Sequence, residues 1–196
     1  NMSDGTKLYK TIDTELDASK LVATNASSEL ESSSLNTDGA DTWWVGAGTG
    51  LPYGGMYGEN IAYDLVMAAQ DTDYQILGFA TAADSNLVTV SVANDDLTPL
   101  KTGVYLIGWN AACHSHAAND YSIFIKINNG ATAKVNTKAH FDSSVGDKIF
   151  HVGCSAICSF TANDTVELWS HRNDGGAVSK TLTFDHVNLH ITMIGG

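Results

Sequence analysis

Proline is nearly absent, 2 in 196 residues, and charged residues make up only 16% of the chain, against a usual ~25%. Few prolines leave little to interrupt extended strands. The shortage of Glu, Lys and Arg removes the residues that normally cover exposed helix faces. Surface polarity must come from Ser, Thr, Asn and Gly, a mixture suited to β-structure with tight turns. Positive charge is scarcer still: 10 Lys and Arg against 22 Asp and Glu give a formal net charge of −12. Phosphate binding depends on clustered Lys and Arg, and no cluster occurs, so no nucleic acid or anionic membrane partner is expected. No apolar run approaches the ~20 residues that cross a bilayer as a helix, and no basic-then-apolar leader opens the sequence.

Cysteines number three, Cys113, Cys154 and Cys158, an odd count that argues against a disulfide framework. Cys154 and Cys158 fall in one β-like run, four positions apart and too distant to bridge without bending it. Buried free thiols and assembly in a reducing cytoplasm are the expectation. Catalytic constellations are also missing. Ser115 stands between His114 and His116 but lacks the strand–turn–helix setting of a nucleophile elbow. Asp71, Asp73 and the Asp95-Asp96 pair fall in turn-like segments and read as solvated loop acids, not as carboxylates opposed across a cleft. Gly46-x-Gly48-x-Gly50 has no strand–helix unit around it. Neither an enzyme nor a cofactor is expected.

What the chain does have is alternation. Val88, Val90 and Val92 alternate with Thr89 and Ser91, a half-buried strand. Val104-Tyr105-Leu106-Ile107-Gly108-Trp109 is apolar on both faces. Tyr121, Ile123, Ile125 and Ile127 alternate with Ser122 and Lys126 and stop at the turn signal Asn128-Asn129-Gly130. Phe150, Val152, Cys154, Ala156, Cys158 and Phe160 occupy successive alternate positions without charge. Asn163-Asp164 turns into Val166-Glu167-Leu168-Trp169, and Val187, Leu189, Ile191 and Met193 alternate to the C-terminus. At least six strands between residues 87 and 194, at short regular spacing, predict an all-β antiparallel sandwich of jelly-roll type.

Residues 1–50 differ. Ser, Thr, Asp, Glu and Ala surround scattered Leu21, Leu30 and Leu35 without a firm period, although a short helix near Asp13–Ala23 is compatible with them. Trp43-Trp44 then precede a glycine-rich stretch from Gly46 to Gly55. This segment reads as an extended arm and linker, and residues 51–196 as the domain. The paired tryptophans fit either an anchor that packs on another protein or a cap on the domain's own core.

The strand that is apolar on both faces and the C-terminal strand, whose second face carries neutral polar groups, argue for a sheet covered twice. The simplest second cover is another copy of the same sheet. The region from Tyr57 to Ile194 resembles the jelly roll of tumour-necrosis-factor ligands and complement globular heads, and more closely the phage and virus structural proteins with this fold. The resemblance rests on Gly103-Val104-Tyr105, on Ile125-Lys126-Ile127-Asn128-Asn129-Gly130, on Phe160 to Leu168 with Asn163 where a glycine is usual, and on Val187 to Ile194. Leu51-Pro52-Tyr53-Gly54-Gly55-Met56-Tyr57 also looks like phage virion proteins. The resemblance implies a homotrimer whose axis is lined by the sheet holding the Val104–Trp109, Phe150–Phe160 and C-terminal strands.

On that basis Tyr105, Ile107, Trp109, His186, Asn188 and His190 are the expected trimer interface. His186, Asn188 and His190 would each form a ring of three, neutral and hydrogen-bonded by default, but able to hold an ion or to loosen the trimer near pH 6. A second metal-compatible spacing is His114 and His116, near which Asp120 and His140 can approach; a polar strand end is the plainer reading. Trp169, Tyr121 and Tyr74 are candidates for stacking on a sugar, Tyr121 more readily a core residue. The function expected is a phage virion structural protein: a trimeric capsid decoration or cement protein on the capsid exterior. It would bind the major capsid protein through Trp43, Trp44, Leu21, Leu30 and Leu35. The alternatives are the receptor-binding head of a tail fibre or spike, or a sugar-binding module for host-surface glycan.

Overall fold

The computed structural model describes residues 50–115, 118–143, 148–174 and 178–196. The expected arm, with Leu21, Leu30, Leu35, Trp43, Trp44 and the short helix, lies outside the described residues, as does His116. Every regular element among the described residues is a strand: β1 Tyr53–Met67, β2 Tyr74–Gln75, β3 Thr81–Ala82, β4 Val88–Ser91, β5 Asp96–Pro99, β6 Gly103–His114, β7 Asn119–Ile127, β8 Thr132–Ser143, β9 Phe150–Phe160, β10 Val166–Arg172 and β11 Lys180–Gly195. They form two antiparallel sheets, a first in the order β3-β1-β11-β6-β9 and a second in the order β4-β5-β10-β7-β8, with β2 added beside β10. This is the jelly-roll sandwich that the alternation predicts.

Period-two patterning decides which residues meet between the sheets. The first sheet contributes Met56, Leu65, Tyr105, Ile107, Trp109, Leu182, Phe184, Val187, Leu189 and Ile191; the second contributes Leu97, Tyr121, Ile123, Ile125, Val166 and Leu168, all of them buried. The sandwich is joined at one open edge by side chains reaching across between β8 and the first sheet. Trp109 Nε1 donates to the Thr137 carbonyl at 3.0 Å, Asn136 Nδ2 to the Ile157 carbonyl at 2.9 Å and Lys134 Nζ to the Ser159 carbonyl at 3.1 Å.

Two expectations are corrected by packing. The glycine-rich stretch does not remain a linker to its end, because Gly54 and Gly55 already belong to β1. A Cβ on Gly54 would stand 2.8 Å from Val88 Cγ1, and one on Gly58 would stand 2.1 Å from the Gly78 carbonyl; these glycines let neighbouring chain approach, which a loop reading misses. Of the acids expected to be solvated, Asp71 is exposed but Asp95 is not. Asp95 is buried and accepts the Phe79 amide at 2.9 Å, and desolvation by burial raises its pKa above the ordinary value, an amide bond notwithstanding. The three cysteines are free, with Cys113 and Cys158 buried and Cys154 half-buried; burial, helped by nearby Asp185, pushes the Cys113 thiol up to about 12, so it stays protonated and unreactive.

Candidate functional site

Each sheet turns one face inward, so the site question concerns the two outward faces. On the first sheet the register places four rungs side by side. Glu59, His186, Ala112 and His151 form one; Tyr57, Asn188, Asn110 and Gly153 the next; Gly55, His190, Gly108 and Ser155 the third; Tyr53, Thr192, Leu106 and Ile157 the fourth. The last three rungs contain no Asp, Glu, Lys or Arg. Apolar side chains stand open there: Tyr53 is 43%, Leu106 41% and Ile157 60% exposed.

At the centre of this face His190 lies between two glycines on the flanking strands. A Cβ on Gly108 would come within 2.5 Å of its Cε1 and Nε2, so the imidazole rests across the bare backbone of β6. Its Nδ1 is 3.2 Å from Asn188 Oδ1. Desolvation there lowers its pKa below the ordinary value, so the ring is neutral at pH 7. Above the Asn188 rung the face opens into a depression of about 620 Å³ lined by Glu59, Asn60, Asn110, Ala112, His151 and His186.

Three of the six expected interface residues are thereby corrected. Tyr105, Ile107 and Trp109 are 0%, 1% and 2% exposed within the protomer, because alternation points them into the sandwich. Their neighbours Leu106, Gly108 and Asn110 occupy the outer face instead. His186, Asn188 and His190 are on that outer face, as the alternation of the last strand predicts. Among the described residues, His114 joins no group of three potential metal ligands. Its Nδ1 pairs with Asp185 Oδ2 at 3.0 Å.

The outer face of the second sheet is built differently, as a continuous polar network. Asp73 receives Lys126 Nζ at 2.8 Å and faces His171 Nδ1 at 2.8 Å. Burial alone would raise the Asp73 carboxyl, but the hydrogen bonds and charges of Lys126 and His171 outweigh it and hold its pKa below the ordinary range. His171 Nε2 lies 2.7 Å from Asn173 Oδ1, and Asn173 Nδ2 donates to Asp120 Oδ1 at 2.9 Å. Asp120 in turn meets His140 Nε2 at 3.0 Å.

At the other end of this face, buried Glu167 accepts four donors: the amides of Asn129 and Gly130 at 2.8 and 2.9 Å, Thr165 Oγ1 at 2.7 Å and Trp169 Nε1 at 2.9 Å. The carboxylate thus fixes the turn between β7 and β8, where Asn128, Asn129 and Gly130 all adopt positive φ. Trp169 is not a free stacking platform. A Cβ on Gly130 would stand 2.7 Å from its ring, and Lys126 Nζ lies 4.9 Å from the ring centroid. Tyr121 is fully buried, and the Tyr74 hydroxyl accepts the Ala69 amide at 2.9 Å. Trp169 and Tyr121 are therefore engaged by the protein itself, and Tyr74 is half-buried with its hydroxyl bound.

Asp120, His140 and Asp142 are the residues that sequence reasoning found only in part. Asp120 and His140 do come together, but around Asp142 and not around His114. Spacing of two along what becomes β8 was the available signal for the His140–Asp142 half.

Solved structures that share this architecture include a TNF protein and a complement globular domain. The chain superposes on the structure of Eiger TNF from S. frugiperda with a TM-score of 0.54 at 11% identity, covering 74% of this chain and 92% of that one. It superposes on the globular domain of zebrafish complement 1qA protein with a TM-score of 0.50 at 14% identity, covering 74% and 97%. No family profile and no curated protein sequence matches the chain. The fold is therefore a jelly roll of the kind found in tumour-necrosis-factor and complement globular-head domains. At these identities the likeness concerns the fold alone.

Proposed function

We propose that residues 51–196 are the trimerising body of a phage virion structural protein, a homotrimeric decoration or cement protein on the capsid exterior. Residues 1–50, with Trp43 and Trp44, attach it to the major capsid protein. The observation that carries this reading is the uncharged outer face of the first sheet. In a chain of net charge −12, three consecutive rungs from Tyr57 to Ile157 avoid charge and hold Tyr53, Leu106 and Ile157 open. Depletion of charge around exposed aliphatic and aromatic groups is the composition of an interface core. Around a threefold axis neighbouring copies would cover this face through repeated heterologous contacts, and closure of the ring would limit the assembly to three copies.

Passive assembly suits the rest of the molecule. The acidic exterior opposes aggregation, and three tethered arms give avidity without any single strong contact. The contacts that Gly130 and Lys126 make with the Trp169 ring weigh against the sugar-binding alternative. The test is native mass by light scattering, followed by deletion of residues 1–50. Three chain masses with capsid binding lost on deletion supports the reading. A monomer removes it, and a trimer that ignores capsids but attaches to host cells transfers the protein to the receptor-head class.

A further inference from the structure

We infer that Asp120, His140 and Asp142 form a divalent transition-metal site, zinc being the ion of choice, on the outer face of the second sheet. The site follows from register. Asp120 on β7 pairs with Asp142 on β8, and His140 lies opposite Ser122, one outward position along. Three outward side chains therefore share one patch of two hydrogen-bonded strands. One ligand atom from each lies within 4.8 Å of the other two, and His140 Nε2 is 3.0 Å from Asp120 Oδ1. Metal–ligand bonds of ~2.1 Å in tetrahedral geometry require ligand atoms about 3.4 Å apart. Small side-chain rotations close the cluster onto an ion, and the backbone need not move.

The donor set selects the ion. One imidazole with two carboxylates suits zinc and its first-row neighbours, whereas calcium takes six to eight oxygen ligands. No thiolate takes part. Three protein ligands leave a fourth position for water, on the side where the His140 side chain is 55% exposed.

Supporting groups around the ligands are also in place. His140 Nδ1 is 3.4 Å from Ser122 Oγ and 3.2 Å from Asn173 Nδ2, so the ring nitrogen away from the metal is held by two neighbouring side chains. Asn173 Nδ2 holds Asp120 Oδ1 at 2.9 Å, and Asn173 is itself anchored by His171 Nε2 at 2.7 Å. Such contacts restrain the ring and aim the ligands. The bound ion would pin β8, an edge strand of its sheet, to β7 where their pairing ends at Asn119 and Ser143. It would stabilise the fold by mass action.

The experiment is calorimetric titration of the full chain, stripped with EDTA and desalted, with zinc chloride alone, paired with thermal melts. The expected result is one saturable site per chain and a melting temperature that rises with zinc. Both effects disappear in His140→Ala and persist in His151→Ala, a histidine on the opposite face. Ser122→Ala weakens binding about 10-fold, as loss of an outer-shell partner does. His140 is half exposed, so its variant is expected to fold and serve as a fair comparison. No saturable binding at millimolar zinc overturns the site, as does binding undiminished in His140→Ala. A parallel titration with calcium chloride is expected to show no saturation; saturation by calcium with none by zinc overturns the assignment of the ion.

Discussion

The two outer faces of this sandwich cover one core yet obey opposite rules. On the second sheet Asp73, Lys126, His171, Asp120 and His140 are cross-linked through direct contacts and through Asn173, so the charges of this face satisfy each other. On the first sheet the central rungs hold Asn188, His190, Thr192, Tyr53, Leu106 and Ile157 with no charge among them. A face that remains in water gains from charge, provided the charges satisfy each other. A face that is to be covered must avoid charge, because an ion taken out of water without a partner is expensive. The contrast gives the trimer proposal its physical content, since only one of the two faces is suited to being buried.

The largest expected effect comes from breaking that contrast. Leu106→Asp places a carboxylate among Thr192, Ile157 and Val104 on the uncharged face. An unpaired charge buried at an interface costs about 3–5 kcal/mol, so the proposed trimer should fall to monomers in light scattering while its β-sheet circular dichroism is unchanged. Lys138→Asp makes a charge change at an exposed position of β8 and should leave the native mass alone. Equal behaviour of the two variants would sink the assignment of the interface.

Next in size is the anchor of the charged face. Glu167→Gln keeps the side-chain shape but replaces one acceptor oxygen by an NH₂ group, so either the Asn129 and Thr165 donors or the Gly130 and Trp169 donors lose their partner. Hydrogen bonds to charged groups are worth about 1.5–3 kcal/mol each, and urea unfolding should show a loss of about 3 kcal/mol. An unchanged midpoint would mean that the Asn128–Gly130 turn holds its positive φ angles without the carboxylate.

How much of this was legible in the sequence depends on which face a residue serves. Inward alternation is strong, and Ile123, Ile125, Val187, Leu189 and Ile191 were placed from it. The same period of two settles the orientation of Tyr105, Ile107 and Trp109, but an apolar residue on every position of that strand hides which set faces the core. Burial of its odd-numbered members emerges only once Trp109 reaches Thr137. β8 escaped notice because a register shift opposite Ile123–Ile125 breaks its alternation and because most of its side chains are exposed. Asp73 and Asp95 looked like loop acids since their partners, Lys126 and the Phe79 amide, are distant in sequence. Long-range pairing of this kind leaves no local signal.

The smallest effect separates the two faces by acid. Asp73 has a folded pKa below its ordinary value because Lys126 and His171 outweigh its burial. The stability this contributes is complete above the unfolded carboxyl pKa of about 3.9 and is lost as pH falls through the lower folded value. His190 has a folded pKa below the ordinary imidazole value because it is desolvated. Stability linked to its neutral form is complete above about pH 6.5 and is lost as pH falls through the folded pKa. The groups around it are Asn188, Gly55, Gly108 and Ser155, none of which supplies a compensating charge. Urea midpoints followed from pH 8 to pH 3 should therefore show two acid losses in different windows. His190→Gln should remove part of the loss that begins near pH 6.5 and leave the later one. Asp73→Asn should flatten the loss below about pH 4 and cost about 1 kcal/mol at pH 7, the usual worth of a part-exposed ion pair. If His190→Gln leaves the first window untouched, desolvation on the uncharged face is not what the imidazole feels. The contrast between the faces would then be tested by the Leu106→Asp result.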